Sequence, residues 1–458
     1  MKDFFTFIDN SPTCFHAVEN VKVALLAAGA MELQETIPFH LESGKTYFVT
    51  RNGSSLLAFH LPKWEQGKRP SGYRIYAAHS DSPCFKIKPC GVMKAEGEYV
   101  MLNTEKYGGM ILSTWLDRPL SLAGRIVYEQ EGMLVTKTVN LDELTCIIPN
   151  VAIHMNRDMN KGVEYNPQTD MRPLIGLSKD MPELRKLIAD KAGIQQDSIL
   201  GEDLYVYSKE KCCLMGTSEE LLGGPRLDDL ECVYAGLQGF LSALGTGNNA
   251  KDKAALTDCI TTEGGYNTAG ENDSEDEHTT VEKMTIPMLA IFDNEEVGSG
   301  TKQGADSTFL TDILERIAHA MHWDSETIKC MYADSFMISA DNAHAVHPNH
   351  PEKADPTNRP IINGGIVVKY HGGQKYTTDA YSEAVLKRYA KKAQVSLQTY
   401  ANKSDIPGGS TLGNISTAHL SIPTVDIGLP QLAMHSAFET AGVEDYRDLC
   451  KLTEAYFG

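Results

Sequence analysis

Residues 286–299 read IPMLAIFDNEEVGS, an apolar run followed directly by acids. The run from Ile286 to Phe292 is typical of a buried strand in a parallel sheet, because its hydrophobicity is continuous rather than alternating. Asp293, Glu295 and Glu296 follow its carboxyl end, where open α/β sheets bind their ligands. Buried acids are costly unless a cation faces them. On its own the stretch fits a solvated acidic turn as well as a ligand site.

The pattern of strands and helices predicts an α/β fold, with a central, mostly parallel sheet flanked by helices. Further buried strands are expected at 73–78, 366–370 and 423–428, and helices at 307–322 and 378–393. Since 458 residues exceed what one core usually supports, two or three domains are expected.

The pattern of residue types changes between residues 90 and 224, where short strand-like segments alternate with glycine and polar turns. We interpret this stretch as an inserted β-rich domain, so that residues 1–89 and 225–458 form one discontinuous catalytic domain. The polar stretch from Asn248 to Thr280 is expected to be a mobile surface insertion with solvated acids.

Charge and composition restrict the possible partners. The net charge of −19 argues against nucleic acid and against an anionic membrane surface. No run approaches the ~18 apolar residues of a membrane span, and the first residues lack the apolar core of a signal peptide, so we expect a cytoplasmic protein. The ten cysteines are scattered without a CxxC pair, which argues against a structural zinc and against a disulfide framework.

Several polar groups follow the ends of predicted strands or begin helices. His79 comes directly after one strand, and Asp81 is placed to accept its second ring proton. Asp228 precedes a predicted helix at 229–243, where acids favour the helix dipole but can also face a cation. A strand over 331–338 leads into Asp341, His344 and His347, which fit either a metal cluster or an exposed polar loop.

Taken together, these positions predict a pair of metal ions. Two imidazoles and three carboxylates suit zinc or a zinc/manganese pair. The predicted ligands are His79, Asp228, Glu296, Asp341 and His435. Asp228 is expected to bridge the ions, which leaves room for a water between ions roughly 3.5–4 Å apart. Glu295 would then take the proton of that water and pass it to the leaving amine.

The same residues carry a resemblance to the aspartyl aminopeptidases, which are co-catalytic zinc exopeptidases. The matching segments extend over nearly the whole chain. They are SPTCFHAV (11–18), HSDSPC (79–84), STWLDR (113–118), LAGR (122–125), RLD (226–228), DNEEVGS (293–299), SFMISADNAHAVHPN (335–349) and QLAMHS (431–436). All five ligand positions and the base match, and the resemblance implies removal of an acidic N-terminal residue from peptides.

The resemblance also implies features that the spacing of residues does not predict. It implies that residues 90–224 form a dimerisation domain and that His154 reaches the active site of a neighbouring subunit. It implies that His344, Lys369 and Tyr376 contact substrate, with Lys369 facing the acidic side chain. It further implies a homo-oligomer in which dimers assemble into a tetrahedral dodecamer. Two divalent ions per subunit are implied, with zinc favoured and cobalt or manganese as alternatives.

The sequence departs from the family pattern near the expected specificity pocket. Gln374-Lys375-Tyr376 replaces Gln-Arg-Tyr, Asp379 replaces an asparagine, and PGGS at 407–410 replaces PCGT. A broader or neutral-residue aminopeptidase is therefore one alternative. A second is a related dinuclear amidohydrolase of the deacylase or carboxypeptidase kind. A third is a non-enzymatic scaffold with structural metals, in which Glu295 would have no role.

Overall fold

The computed structural model describes residues 1–65, 68–179, 183–245 and 283–458. The insertion expected at 248–280 lies outside the described residues.

The described chain contains α-helices and β-strands in the following order. Residues 1–83 hold α1 (Lys2–Asp9), α2 (Cys14–Ala27), β1 (Met31–Leu33), β2 (Lys45–Arg51), β3 (Ser55–Leu61) and β4 (Gly72–His79). Residues 84–208 hold β5 (Cys84–Ala95), β6 (Tyr99–Tyr107), β7 (Leu120–Gln130), β8 (Met133–Asn140), β9 (Leu174–Leu177), α3 (Leu184–Ala192) and β10 (Ile199–Ser208). The remainder holds β11 (Cys213–Met215), β12 (Leu221–Gly224), α4 (Leu227–Ala243), β13 (Thr285–Phe292), α5 (Phe309–Ala320), α6 (Ser325–Ala333), β14 (Phe336–Ala340), β15 (Ala343–His344), β16 (Ile366–Tyr370), α7 (Ala380–Ala393), β17 (Leu397–Ala401), α8 (Leu412–Ser416), β18 (Thr424–Gly428), β19 (Pro430–Gln431), β20 (Glu439–Gly442) and α9 (Val443–Phe457).

A nine-stranded sheet in the order β1-β2-β3-β13-β4-β14-β18-β16-β17 forms the centre of the fold. Of its eight strand pairs, β2–β3, β3–β13 and β16–β18 are antiparallel and the other five are parallel. The expected α/β fold with a mostly parallel sheet is confirmed.

Helices cover both faces of this sheet, because successive side chains of a strand point to opposite sides. On β4, Tyr76 packs into a core with α1, α2, α4, α7 and α9. The neighbouring Ile75 packs into a second core with α5, α6 and α8. Strands buried on both faces have the continuous apolar sequence seen in β13.

Strand register brings the polar groups to one edge of the sheet. In the parallel pair β13–β4, Phe292 is opposite His79, so the acidic turn after β13 begins beside that histidine. In the parallel pair β14–β4, Ser339 is opposite Ala77, so Asp341 lies level with His79.

Two local predictions can be compared with the structure. The hairpin predicted around Asn52 and Gly53 is present, since β2 and β3 pair up to Arg51 opposite Ser55. Asn52 and Gly53 have positive φ, 60° and 65°, which these two residue types adopt readily, and the N–H of Ser54 donates to the Arg51 carbonyl to close the turn. The strand predicted over 331–338 is wrong in its first half, because Met331 belongs to α6 and the strand begins at Phe336.

The inserted segment forms a sheet of its own. Six antiparallel strands in the order β8-β7-β10-β5-β6-β9 pack with α3 around a separate core. The strands β11 and β12 instead form a three-stranded sheet with β20 near the carboxyl end of the chain. The division into residues 90–224 and the rest stays a prediction.

Among the helices of the described ranges, none combines the length and the apolar character that a membrane crossing needs.

Candidate metal centre

Five side chains expected to bind metal converge at the carboxyl edge of the central sheet, but they reach it by different routes. His79 ends β4, Asp341 follows β14, and Glu296 lies in a 3₁₀ turn just after β13. The other two do not follow strands of this sheet. Asp228 follows β12 of the three-stranded sheet, and His435 lies between β19 and β20.

Asp228 occupies the middle of the cluster, between two imidazoles. Its Oδ1 lies 3.6 Å from Nε2 of His79, and its Oδ2 lies 3.4 Å from Nε2 of His435. A second carboxylate accompanies each histidine. Asp341 Oδ1 lies 3.7 Å from His79 Nε2, and Glu296 Oε2 lies 3.4 Å from His435 Nε2. The cluster is thus two His–carboxylate groups that share one aspartate.

The donor set fits a pair of divalent cations. The described hydrogen bonds leave Oδ1 of Asp228 and Oε1 of Glu296 buried without a partner. Ligand atoms of His79, Asp228, Asp229 and Asp341 lie within 4.8 Å of one another, as do those of Asp228, Glu296 and His435. Neutral imidazole and carboxylate are the nitrogen and oxygen ligands that zinc accepts.

The electrostatics of the cluster favour positive charge. Burial tends to lower the pKa of His435, but Asp228 and Glu296 outweigh it and raise that pKa to about 10. His79 behaves alike: burial opposes its protonation, yet the surrounding Asp229, Asp228 and Asp341 raise its pKa. The same field would bind a divalent ion.

The ring orientation of both histidines is fixed by their second nitrogens. Nδ1 of His79 lies 3.0 Å from the backbone carbonyl of Asp81, and Nδ1 of His435 lies 2.8 Å from the carbonyl of Gly109. A hydrogen donated from each Nδ1 leaves Nε2 free as a metal ligand. The sequence suggested that the side chain of Asp81 accepts from His79, but its Oδ1 is farther from Nδ1, at 3.4 Å.

The Asp81 carboxylate instead holds the acidic turn. It accepts hydrogen bonds from the backbone N–H groups of Glu295 and Glu296, each with a donor–acceptor distance of 3.2 Å. The turn begins at Asn294 with φ 64°, and Asp293 accepts the N–H of Asn294 over 2.7 Å. The backbone of both adjacent glutamates is therefore held by the Asp81 carboxylate.

The part-buried Glu295 carboxylate lies beside the residues predicted to bind metal. Its carboxylate lies within 4.8 Å of ligand atoms of His79 and Glu296. Burial, with the charges of Asp341 and Asp81, raises its pKa to about 8 against the opposing effect of His79.

Sequence reasoning missed two buried acids next to the ligands. Asp229 accepts the backbone N–H of His79 over 3.1 Å. Glu439 accepts the backbone N–H of Asp228 over 3.1 Å and that of His435 over 2.7 Å. The adjacency of Asp229 to Asp228 was a usable signal, whereas nothing in the local sequence identified Glu439.

The four residues expected to contact substrate lie in three different places. Lys369 is 3% exposed, and its Nζ lies 3.2 Å from Asp341 Oδ2 and 5.6 Å from the ring of Tyr376. His344, in β15, is exposed and lines a groove with Tyr400. His154 lies in an exposed turn of the inserted segment, and none of the described contacts of the metal ligands involves it.

Comparison with known proteins identifies the family. The family model described as aminopeptidase I zinc metalloprotease (M18) matches residues 7–265 and 266–457. The chain belongs to the M18 family. It is 43% identical to a probable M18 family aminopeptidase 2 of Clostridium novyi over 97% of this chain and 95% of that protein. This M18 chain is therefore a metallopeptidase of the aminopeptidase type, as the sequence resemblance indicated.

Solved structures of similar fold include M18 proteins. A chain in a cryo-EM structure of an Ape4 and Nbr1 complex is 33% identical, with a TM-score of 0.87, covering 100% of this chain and 85% of that one. The S. cerevisiae mApe1 dodecamer is 24% identical, with a TM-score of 0.79, covering 100% and 95%. At that lower identity the likeness shows the fold alone.

Proposed function

We propose that this M18 aminopeptidase uses two divalent ions, with zinc favoured, which share Asp228. His79 and Asp341 complete one site, and His435 and Glu296 complete the other. The observation that carries the proposal is that the two oxygens of Asp228 face two different imidazoles, at 3.6 and 3.4 Å. A simple ion pair would explain one histidine beside Asp228. It would not explain a second histidine that has a carboxylate of its own, as His435 has in Glu296.

The chemistry follows from the groups around this pair. Divalent ions held by these residues would supply Lewis-acid polarisation of the peptide carbonyl and would lower the pKa of a bound water. Glu295, whose carboxylate lies within 4.8 Å of ligand atoms of His79 and Glu296, takes the proton of the attacking water and delivers it to the leaving amine. Asp81 keeps Glu295 in position through the backbone N–H that it accepts.

We further propose that the preferred N-terminal residue is acidic. The chain carries a net charge of −19, so an acidic substrate needs a local cation. Lys369 is that cation in the proposal: its Nζ lies next to the ligand Asp341 and over the ring of Tyr376. His344 would contact the substrate from the neighbouring groove.

A second candidate, a broader aminopeptidase that also accepts neutral residues, is favoured by one observation. Lys369 already has an anionic partner in Asp341, at 3.2 Å, so its charge is partly used within the protein. In the acidic-specific candidate, a cation bound by Asp341 releases Lys369 to face the substrate. In the broader candidate, Lys369 stays paired with Asp341.

A substrate panel tests the activity and its specificity. Peptides with free N-terminal Asp, Glu or Leu are compared with their N-acylated forms, on protein loaded with zinc, cobalt or manganese. The proposal expects cleavage of free peptides only, with Asp and Glu ahead of Leu. Activity restricted to the blocked peptides would contradict it and favour a deacylase-type amidohydrolase.

We also propose that dimers of this chain assemble into a closed homo-oligomer; a solved structure of similar fold is described as the S. cerevisiae mApe1 dodecamer. Apolar side chains around His154 support a subunit contact there, because Val151, Ile153 and Met155 are 53%, 44% and 82% exposed. The cytoplasmic location stays a prediction.

Subunit mixing tests whether His154 acts across the contact. If it does, His154→Ala and Glu295→Gln are each inactive alone, but together they regain activity, because a mixed pair contains one intact site. Failure to regain activity in co-assembled subunits would contradict a shared site.

A further inference from the structure

Residues 107–114 connect the inserted sheet to the metal centre of the same chain. Tyr107 is the last residue of β6, and the segment after it runs along the metal ligands before β7 begins. A Cβ placed on Gly108 would lie 3.1 Å from Cβ of Glu296, so the chain passes directly against that ligand. The family resemblance implies only that this segment belongs to a dimerisation domain.

The hydroxyl of Tyr107 has a defined direction. It lies 2.7 Å from Oδ2 of Asp81 and 2.8 Å from Nδ2 of Asn294. The Asn294 amide is oriented by its oxygen, which accepts from Thr301 and Gln303, each over 2.8 Å. Because Nδ2 must therefore donate to the phenol oxygen, the single phenol proton is directed to Asp81.

Asp81 also holds the turn that carries Glu295 and Glu296. The oxygen that accepts from Tyr107 also accepts the backbone N–H of Glu296, and the other oxygen accepts that of Glu295. One hydroxyl thus orients the Asp81 carboxylate, which fixes the turn bearing Glu295 and the proposed ligand Glu296. The backbone carbonyl of Asp81 contacts Nδ1 of the proposed ligand His79.

The same segment holds the second proposed site. The carbonyl of Gly109 faces Nδ1 of His435, and the N–H of Ile111 donates to the His435 carbonyl over 3.0 Å. His435 has φ 67°, a backbone conformation that few residues other than glycine adopt without support. Thr114 adds a bond over 3.0 Å from the N–H of Ala437 to its hydroxyl.

We propose that Tyr107 is a positioning residue of the active site, and that the inserted segment completes the metal centre of its own chain in addition to any role in assembly. The inference rests on the proposed roles of Glu295 and Glu296. Tyr107 acts through Asp81: without the phenol proton, the carboxylate loses one of its donors and no longer holds the turn in one place.

The test is Tyr107→Phe, with Tyr205→Phe as the matched control. Tyr205 is a buried neighbour whose ring packs edge-on against Tyr107 at 5.8 Å, and no hydrogen bond of its hydroxyl is described. Each zinc-loaded variant is assayed for kcat and KM, and each cobalt-loaded variant for its visible absorption spectrum and cobalt affinity. Loss of a partner behind metal ligands typically costs 10–100-fold in activity or metal affinity.

The proposal expects Tyr107→Phe to lower kcat by about 10–100-fold with little change in KM, and to alter the cobalt spectrum or affinity. Tyr205→Phe should match the parent in all four measurements. Equal effects in both variants would overturn the proposal, as would a Tyr107→Phe protein with parental kcat and spectrum. If Glu295→Gln proves fully active, the proposed base fails, while the cobalt measurements still decide the role of Tyr107.

Discussion

Replacing Lys369 by methionine tests how the site selects its substrate, because the change keeps the length of the side chain and removes its charge. At an effective dielectric constant of about 20, unit charges separated by the 3.2 Å between Lys369 Nζ and Asp341 Oδ2 attract by about 5 kcal/mol. Breaking a buried pair by removing one partner costs about 3–5 kcal/mol. We therefore expect Lys369→Met to lower the free energy of unfolding of the metal-free protein by about this amount. The decrease should be smaller in the metal-loaded protein, where the cation faces Asp341.

The effect on catalysis should depend on the substrate. A hydrogen bond to a charged group contributes about 1.5–3 kcal/mol, which corresponds to roughly 10–150-fold in kcat/KM. Lys369→Met should lose that factor on a peptide with N-terminal Asp and far less on one with N-terminal Leu.

The assay measures kcat/KM for both peptides, and thermal midpoints with and without zinc. Lys387→Met is the matched control, because this exposed lysine on α7 pairs only with Glu383 in the described contacts. Equal losses on the two peptides would refute a role toward the substrate, leave Lys369 as a partner of Asp341 only, and favour the broader specificity.

Four further outcomes are expected. Glu295→Gln should lower kcat by about 10²–10⁴-fold with unchanged metal content, and parental turnover would exclude it as the base. Gly236→Ala should reduce stability by about 1–3 kcal/mol, because the new Cβ would lie 2.4 Å from Cε1 of Tyr76; an unchanged urea midpoint would contradict this packing. Burial, then the charge of Arg226, lowers the pKa of His16 to about 4. The contribution of neutral His16 to the free energy of unfolding is therefore complete above about pH 6.5. As the pH falls toward 4, the protein loses about 3 kcal/mol of this contribution. His16→Gln should remove this part of the pH dependence of the thermal midpoint. Chelation should lower the midpoint of the parent, since an ion at 100 times its Kd stabilises by about 2.7 kcal/mol, whereas a midpoint indifferent to chelator would argue against metal in the folded state.

Local patterns were enough to predict the elements that build the sheet edge. The continuous apolar run before Asp293 predicted a strand buried on both faces, and β13 is one. The Asn52–Gly53 pair predicted a tight hairpin from its turn chemistry alone. In both cases the physical cause lies within a few residues, so the sequence displays it directly.

The groups behind the ligands could not be predicted in this way, because strand pairing over long separations brings them together. Glu439 reaches Asp228 through a strand that pairs with β12, more than two hundred residues away. Tyr107 reaches Asp81 from a sheet that looked separate from the catalytic part. The helix predicted to begin at Asp229 is not yet helical at that residue, whose φ of −118° and ψ of 22° lie outside the helical region.

The most direct test of the shared aspartate is a crystal structure of the zinc-loaded protein with anomalous scattering measured at the zinc edge. The account predicts two peaks in each chain, one against His79 and Asp341 and the other against His435 and Glu296, with Asp228 in contact with both. A single peak, or a second peak that does not touch Asp228, would contradict it.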